Sequence, residues 1–299
     1  VTGTRIDLHT HSSVSDGTDA PAEVIGYAHA AGVNVLALTD HDTVAGIAEA
    51  AGALPPGLTL VPGMELSCAY RGASVHLAAY LFDAEAPELA GELRRIRDDR
   101  VERAREMVRR LREAGLEVTW DRVREIAFGG ADGAGDGARE AGVVIGRPHI
   151  ARAIVEAGGA ADVQDAFDRW IGSGGPGYVA RYALDPVRAV EAVRAAGGVC
   201  ALAHPARAEG MLTGAVPEDL VERMARAGLG AVEADHPDHD EAEAGHWRGV
   251  ARDLGLAVTG SSDDHGELTG HRIGARTTAP EEFERLTAPA TGARPITSG

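Results

Sequence analysis

At five places along this 299-residue chain a short apolar run of strand character stops on a histidine or a carboxylate. His9 and His11 close the run that starts at Arg5, His41 follows Val35 to Thr39, and Glu65 follows Leu58 to Val61. Later, His204 follows Val199 to Ala203, while Asp263 and His265 follow Ala257 to Gly260. Residues two apart on a strand share a face, so His9 and His11 point the same way. Asp16 lies in the loop just beyond them, and His76 falls within a further run, Ser74 to Tyr80. Helical patterns separate these runs: Pro21 to Ala31, Thr43 to Ala53, Pro186 to Ala196, Glu218 to Ala227 and Glu241 to Leu254. Pro21 suits a first helical turn and Gly32 a stop. Strands alternating with helices pair in parallel, and this many units predict an α/β barrel closed on itself. The carboxyl ends of its strands meet on one face, so ligands far apart in sequence converge there.

The alternation breaks from about Asp83 to Arg181, which reads as a mostly helical insertion between barrel parts 1–82 and 182–287. Leu89, Leu93, Ile96, Val101, Ala104, Met107 and Leu111 recur at three to five residues and predict one long amphipathic helix. Its nine arginines between Glu92 and Glu113 face six acids, the pattern of a solvated helix face. Residues 129–146 hold too many glycines to stay helical and read as a loop, and 288–299 read as a flexible tail.

With 46 acidic against 29 basic side chains the net charge is −17, which repels duplex DNA and long RNA and leaves any bound phosphate in need of local cations. Cys68 and Cys200 are far apart and fit no disulfide framework. No run reaches the ~18 apolar residues of a membrane span, and the first residues show no apolar signal region. A soluble cytoplasmic protein is the expectation.

The candidate metal ligands are thus His9, His11, Asp16, His41, Glu65, His76, His204, Asp263 and His265. Imidazoles and carboxylates without thiolates suit Mn, Fe or Zn and do not choose among them. The set offers more donors than one ion can use, so two or three ions with a bridging carboxylate fit it better. Clustered ions suit phosphoryl transfer, where they activate water and clamp nonbridging oxygens.

The stretches Asp7-Leu-His-Thr-His-Ser and Asp263-Asp-His-Gly resemble the PHP (polymerase and histidinol phosphatase) superfamily. Ser15-Asp-Gly-Thr, Thr39-Asp-His-Asp-Thr and Gly146-Arg-Pro-His-Ile-Ala resemble one of its branches, which contains nucleoside 3′,5′-bisphosphate phosphatases and 5′ to 3′ exoribonucleases of the ribonuclease AM type. The resemblance implies a distorted (β/α)7 barrel, a trinuclear site and a helical insertion over its mouth. It implies one ion on His9, His11, Glu65 and Asp263, a second on Glu65, His76 and His204, and a third on Asp16, His41 and His265. Asp264 departs from the pattern, which often has an uncharged residue there.

The function expected is therefore metal-dependent hydrolysis of phosphate monoesters by a metal-activated hydroxide, with manganese ranked first. The substrates expected are nucleoside 3′,5′-bisphosphates, which lose the 3′-phosphate, and the 5′ ends of short RNAs. Asp16, Glu65, His204 and His236 are the candidate catalytic residues, and Arg147 and His149 the candidate phosphate contacts at a helix start. His236, Asp238 and His239 form a polar loop suited to substrate contact or leaving-group protonation. Asp40 and Asp42 are candidates for orienting histidines or for capping the next helix. The rival readings are a histidinol phosphate phosphatase, a noncatalytic metal-binding module associated with a polymerase, and metal-dependent amide or ester hydrolysis. The last is weakened because no lysine is placed to bridge metals.

Overall fold

The structure is a computed structural model and describes residues 3–127, 145–208 and 214–298. It opens with β1 (Ile6–Asp7), α1 (Pro21–Ala30), β2 (Val35–Leu38), α2 (Ile47–Gly52), β3 (Thr59–Tyr70) and β4 (Ala73–Tyr80). A helical stretch follows: α3 (Pro87–Glu113), α4 (Trp120–Ala127), α5 (Arg147–Glu156) and α6 (Val163–Ala166). Alternation then resumes with α7 (Pro186–Ala195), β5 (Val199–Leu202), α8 (Glu218–Ala227), β6 (Ala231–Asp235), α9 (Glu241–Asp253), β7 (Ala257–Gly260), α10 (Pro280–Thr287) and β8 (Ile296–Thr297).

Strands β1 to β7 lie side by side in chain order. The ring closes where Asp263 N–H donates to the His9 carbonyl at 2.9 Å and His11 N–H to the Asp264 carbonyl at 2.9 Å. The molecule is thus a distorted (β/α)7 barrel, with helices covering buried strands such as Val-Leu-Ala-Leu of β2 and Val-Cys-Ala-Leu of β5. Both cysteines are free and buried in this packing.

Parallel pairing fails at β4, which runs antiparallel to both β3 and β5. The cause is local. Arg71 and Gly72 have φ of 51° and 85°, and so form a two-residue hairpin turn between β3 and β4, far too short for a crossover. β3 is therefore much longer than its apolar run suggests, and Glu65, expected beyond the strand, lies within it. The helical stretch ends in α6 followed by a π-helical turn, Phe167–Ile171.

α3 belongs to two cores. Leu89, Leu93 and Ile96 pack with barrel residues such as Leu66, Val193 and Trp247. Met107, Val108 and Leu111 pack instead with Val123, Ile150, Ile154 and Ile171 of the helical stretch. The glycine-rich loop expected at 129–146 lies outside the described residues except for its last two positions. The stretch expected as a flexible tail is tied down: Thr291 and Gly292 donate to the Gly197 carbonyl, Ala293 to that of Leu81, and β8 pairs antiparallel with β3.

Candidate metal centre

Each candidate ligand reaches the barrel mouth by a simple local device. His9 and His11 leave β1 on one face. The loop carrying Asp16 folds back onto them, because at Gly17 a side chain would put its Cβ 2.8 Å from the His11 carbonyl oxygen. Asp40 fastens the same loop by accepting the Ser12 N–H at 2.8 Å and the Ser12 and Ser15 hydroxyls at 2.7 Å each. His76 comes from the antiparallel β4, opposite Ser67 in register, so it enters from the side of the mouth and not from a carboxyl strand end.

Glu65 is the hub. Its Oε2 lies 3.3 Å from Nε2 of His9, 3.3 Å from Nε2 of His11 and 3.2 Å from Nδ1 of His41. Its Oε1 lies 2.8 Å from Nδ1 of His76 and 2.9 Å from Nε2 of His204. Asp263 Oδ1 is 3.5 Å from His9 Nε2 and 3.3 Å from His11 Nε2. Asp16 stands 3.5 Å from His41 Nε2 and 3.4 Å from His265 Nε2. All nine candidate ligands therefore share one connected cluster.

The electrostatics follow from burial among opposite charges. Burial pushes the Glu65, Asp263 and Asp16 carboxyls up, but the surrounding histidines outweigh it and hold all three well below the usual carboxylate range. Burial lowers His11, yet Asp263 and Glu65 win and raise it to about 10. At His41 burial prevails, reinforced by His11 and His76, and the ring falls to about 3.

His236 touches the cluster through Asp263, whose Oδ2 is 3.2 Å from its Nε2, while its Nδ1 accepts the Asp238 N–H. Arg147 and His149 occupy the start of α5. His149 is buried, accepts the Gly146 N–H on Nδ1 at 3.0 Å, and is lowered to about 4 by burial, so it is neutral there. Asp40 and Asp42 neither orient a histidine nor cap α2. Asp42 accepts the Ser67 N–H at 2.7 Å and two bonds from Arg100. Nor does Asp264 charge the pocket: its carboxylate organises the loop after β7, accepting from Gly266 N–H, the Thr269 hydroxyl and Arg272 N–H.

Several residues beside the cluster were not singled out from sequence. Glu233 in β6 is buried, 3.1 Å from His9 Nδ1; burial raises it but His9 overrides this and brings it to about 2. Its signal is a lone acid inside the apolar run Ala-Val-Glu-Ala. Arg100 and Arg103 are buried on α3, where they sit on the apolar stripe between Ile96 and Met107. Arg181 has no comparable signal. It donates to the Ser74 hydroxyl at 2.6 Å, with the same Nη2 3.4 Å from His76 Nε2.

Residues 7–86 match the PHP domain. A 3′,5′-nucleoside bisphosphate phosphatase of Chromobacterium violaceum is 34% identical over 269 residues, 90% of either chain. The chain belongs to the PHP family. A 5′-3′ exoribonuclease of Haemophilus influenzae is 36% identical over 68% of this chain and 69% of its own. A Bifidobacterium adolescentis crystal structure, described as a candidate metal-dependent phosphoesterase, superposes with a TM-score of 0.85 at 28% identity over 97% of both chains. This PHP protein is a hydrolase of the metal-dependent phosphoesterase class.

The residues present fit metal ions. His9 Nε2, His11 Nε2, His41 Nδ1 and Asp263 Oδ1 are buried with no hydrogen-bond partner, although buried polar atoms are ordinarily paired. These are the atoms that converge on Glu65 and on one another. Among the described residues, His11, Asp16, His41 and His265 form one possible ligand group; His9, His11 and Asp263 another; and Glu65 joins His9 with His204 and His41 with His76.

Proposed function

We propose that this PHP protein removes the 3′-phosphate from nucleoside 3′,5′-bisphosphates and acts on the 5′ ends of short RNAs. The observation that carries this reading is an arginine-lined cavity beside the cluster. Arg103, Arg147 and Arg181, with Ser74 and Tyr178, line a cavity of about 100 Å³ that takes no carboxylate from the described residues. Burial and the mutual repulsion of these arginines with Arg100 lower Arg103 to about 9 and Arg181 to about 10. Crowded like charges, withdrawn in part from water, gain most from a bound anion. Because Arg181 spans from Ser74 to His76, an anion in the cavity lies next to the cluster. A bisphosphate presents two phosphates to the two places. Histidinol phosphate presents one phosphate and an amine, which the arginines repel.

His9, His11, Asp16, His41, Glu65, His76, His204, Asp263 and His265 would hold two or three divalent ions, manganese first, with iron or zinc as alternatives. Bound ions lower the pKa of water and neutralise phosphoryl oxygens. The arginines fix the second phosphate. His236 meets Asp263 through Nε2, and on this reading it is the group that protonates the leaving oxygen.

The deciding assay is phosphate release by Mn-reconstituted protein from adenosine 3′,5′-bisphosphate, histidinol phosphate and a short 5′-phosphorylated RNA, with Asp263→Ala as the blank. Release from the bisphosphate and not from histidinol phosphate is expected. The reverse pattern sinks the nucleotide reading.

A further inference from the structure

Glu233 lies near the middle of β6, one residue before the register shift that β6 makes against β7, with its side chain turned into the barrel and 1% of the residue exposed. Oε1 is 3.1 Å from His9 Nδ1 and also receives the Ser261 hydroxyl; Oε2 accepts the His204 backbone N–H at 2.8 Å. One carboxylate thus grips two residues of the cluster, one by its ring and one by its backbone, from two other strand ends.

An ionised carboxylate only accepts, so when His9 carries a single proton that proton sits on Nδ1 and the lone pair on Nε2. Nε2 is the atom that faces Glu65 at 3.3 Å and has no hydrogen-bond partner. The second grip acts on backbone. His204 has φ of 27°, outside the regions an ordinary residue prefers, and its N–H bond to Glu233 holds it there while its ring reaches Glu65 at 2.9 Å.

We infer that Glu233 is a positioning residue for the metal centre, which selects the ligating tautomer of His9 and seats His204. The inference rests on reading the cluster as a metal site. An outer partner that donates orientation to a ligating histidine typically changes metal affinity when lost, by about 10- to 100-fold.

Glu233→Gln isolates this role because the shape is kept. Whichever way the amide turns, its NH2 meets either His9 Nδ1–H or His204 N–H, and His9 can relieve that clash only by moving its proton to Nε2, which removes the lone pair. Mn2+ titration of metal-free wild type and variant, each checked by circular dichroism, should give a folded variant that binds Mn2+ about 10- to 100-fold more weakly. The gain in Tm on adding Mn2+ should shrink with it, a readout that a merely structural role would leave unchanged. A folded variant whose affinity stays within about twofold of wild type overturns the inference. A wild type that binds no Mn2+ or Zn2+ overturns the metal reading itself, which is a separate result. If the variant does not fold, 15N-histidine spectra of Zn-loaded wild type decide: His9 must show Nδ1–H and a metal-shifted Nε2, and an Nε2–H signal sinks the idea.

Discussion

At the scale of single residues, the metal cluster and the proposed arginine site should be separable by substitution. Arg147 lines the cavity, with its guanidinium 5.2 Å from the Phe167 ring. A hydrogen bond to a charged group is worth about 1.5–3 kcal/mol, so Arg147→Ala should raise KM for adenosine 3′,5′-bisphosphate roughly ten- to a hundredfold. Turnover of a 3′-monophosphate, which leaves the cavity empty, should be little changed; equal losses on both substrates would place Arg147 elsewhere. His236→Ala should slow turnover without metal loss, measured by steady-state kinetics alongside metal content, and unchanged kinetics remove His236 from the reaction. The candidate ligands were legible as a group because most of them close or follow a strand-like run, with His76 inside one and Asp16 in the loop after another. Arg103 and Glu233 were not, because burial of a charge looks in sequence like an interruption of an apolar pattern.

At the scale of elements, the β3–β4 hairpin brings Glu65 and His76 together, so its turn is where the geometry of the hub depends on backbone chemistry. Gly72 has φ of 85° and open space around it, so a side chain there costs conformational strain and no clash. Gly72→Ala should lower the free energy of unfolding by about 1–2 kcal/mol in a denaturant titration. Mn2+ affinity should hold, since both flanking strands remain paired along their length. A stability loss accompanied by lost metal would show that the register itself had slipped. The hairpin was not legible, because Arg-Gly is a weaker turn signal than Asn-Gly and the apolar run of β3 seemed to end at Val61. α3 was legible as a helix from its periodicity, but not its inward arginines, since the same nine residues also satisfy a solvated face.

At the scale of the whole molecule, the cluster ties together ligands from strands all round the ring, so an ion placed there acts as a fastening for the barrel. Chelation should lower Tm, since a ligand at about 100 times its Kd stabilises by roughly 2.7 kcal/mol. In the metal-free state His11 is raised from 6.5 to about 10, chiefly by Asp263 and Glu65 against the opposing effect of burial. A histidine raised on folding contributes stability that is complete below its unfolded pKa and is lost as pH rises toward its folded one. Metal-free protein should therefore melt progressively lower from about pH 6.5 to about pH 10, and metal should bind more tightly over the same range because fewer protons must be displaced. Calorimetry with and without chelator checks both; a pH-independent melt would contradict the charge state assigned to His11.

The barrel was readable from the alternation of strands and helices, and its closure follows from the same pattern. What composition and periodicity do not reveal is where one compact unit stops being another. Leu89, Leu93 and Ile96 complete the barrel, whereas Met107 and Leu111 of the same 27-residue helix complete the helical cover. The cover is consequently not an interchangeable cassette. Cutting it away at its chain limits would strip the barrel of three core side chains, so any graft between relatives has to be spliced inside the helix, past Ile96, and inherit its phase.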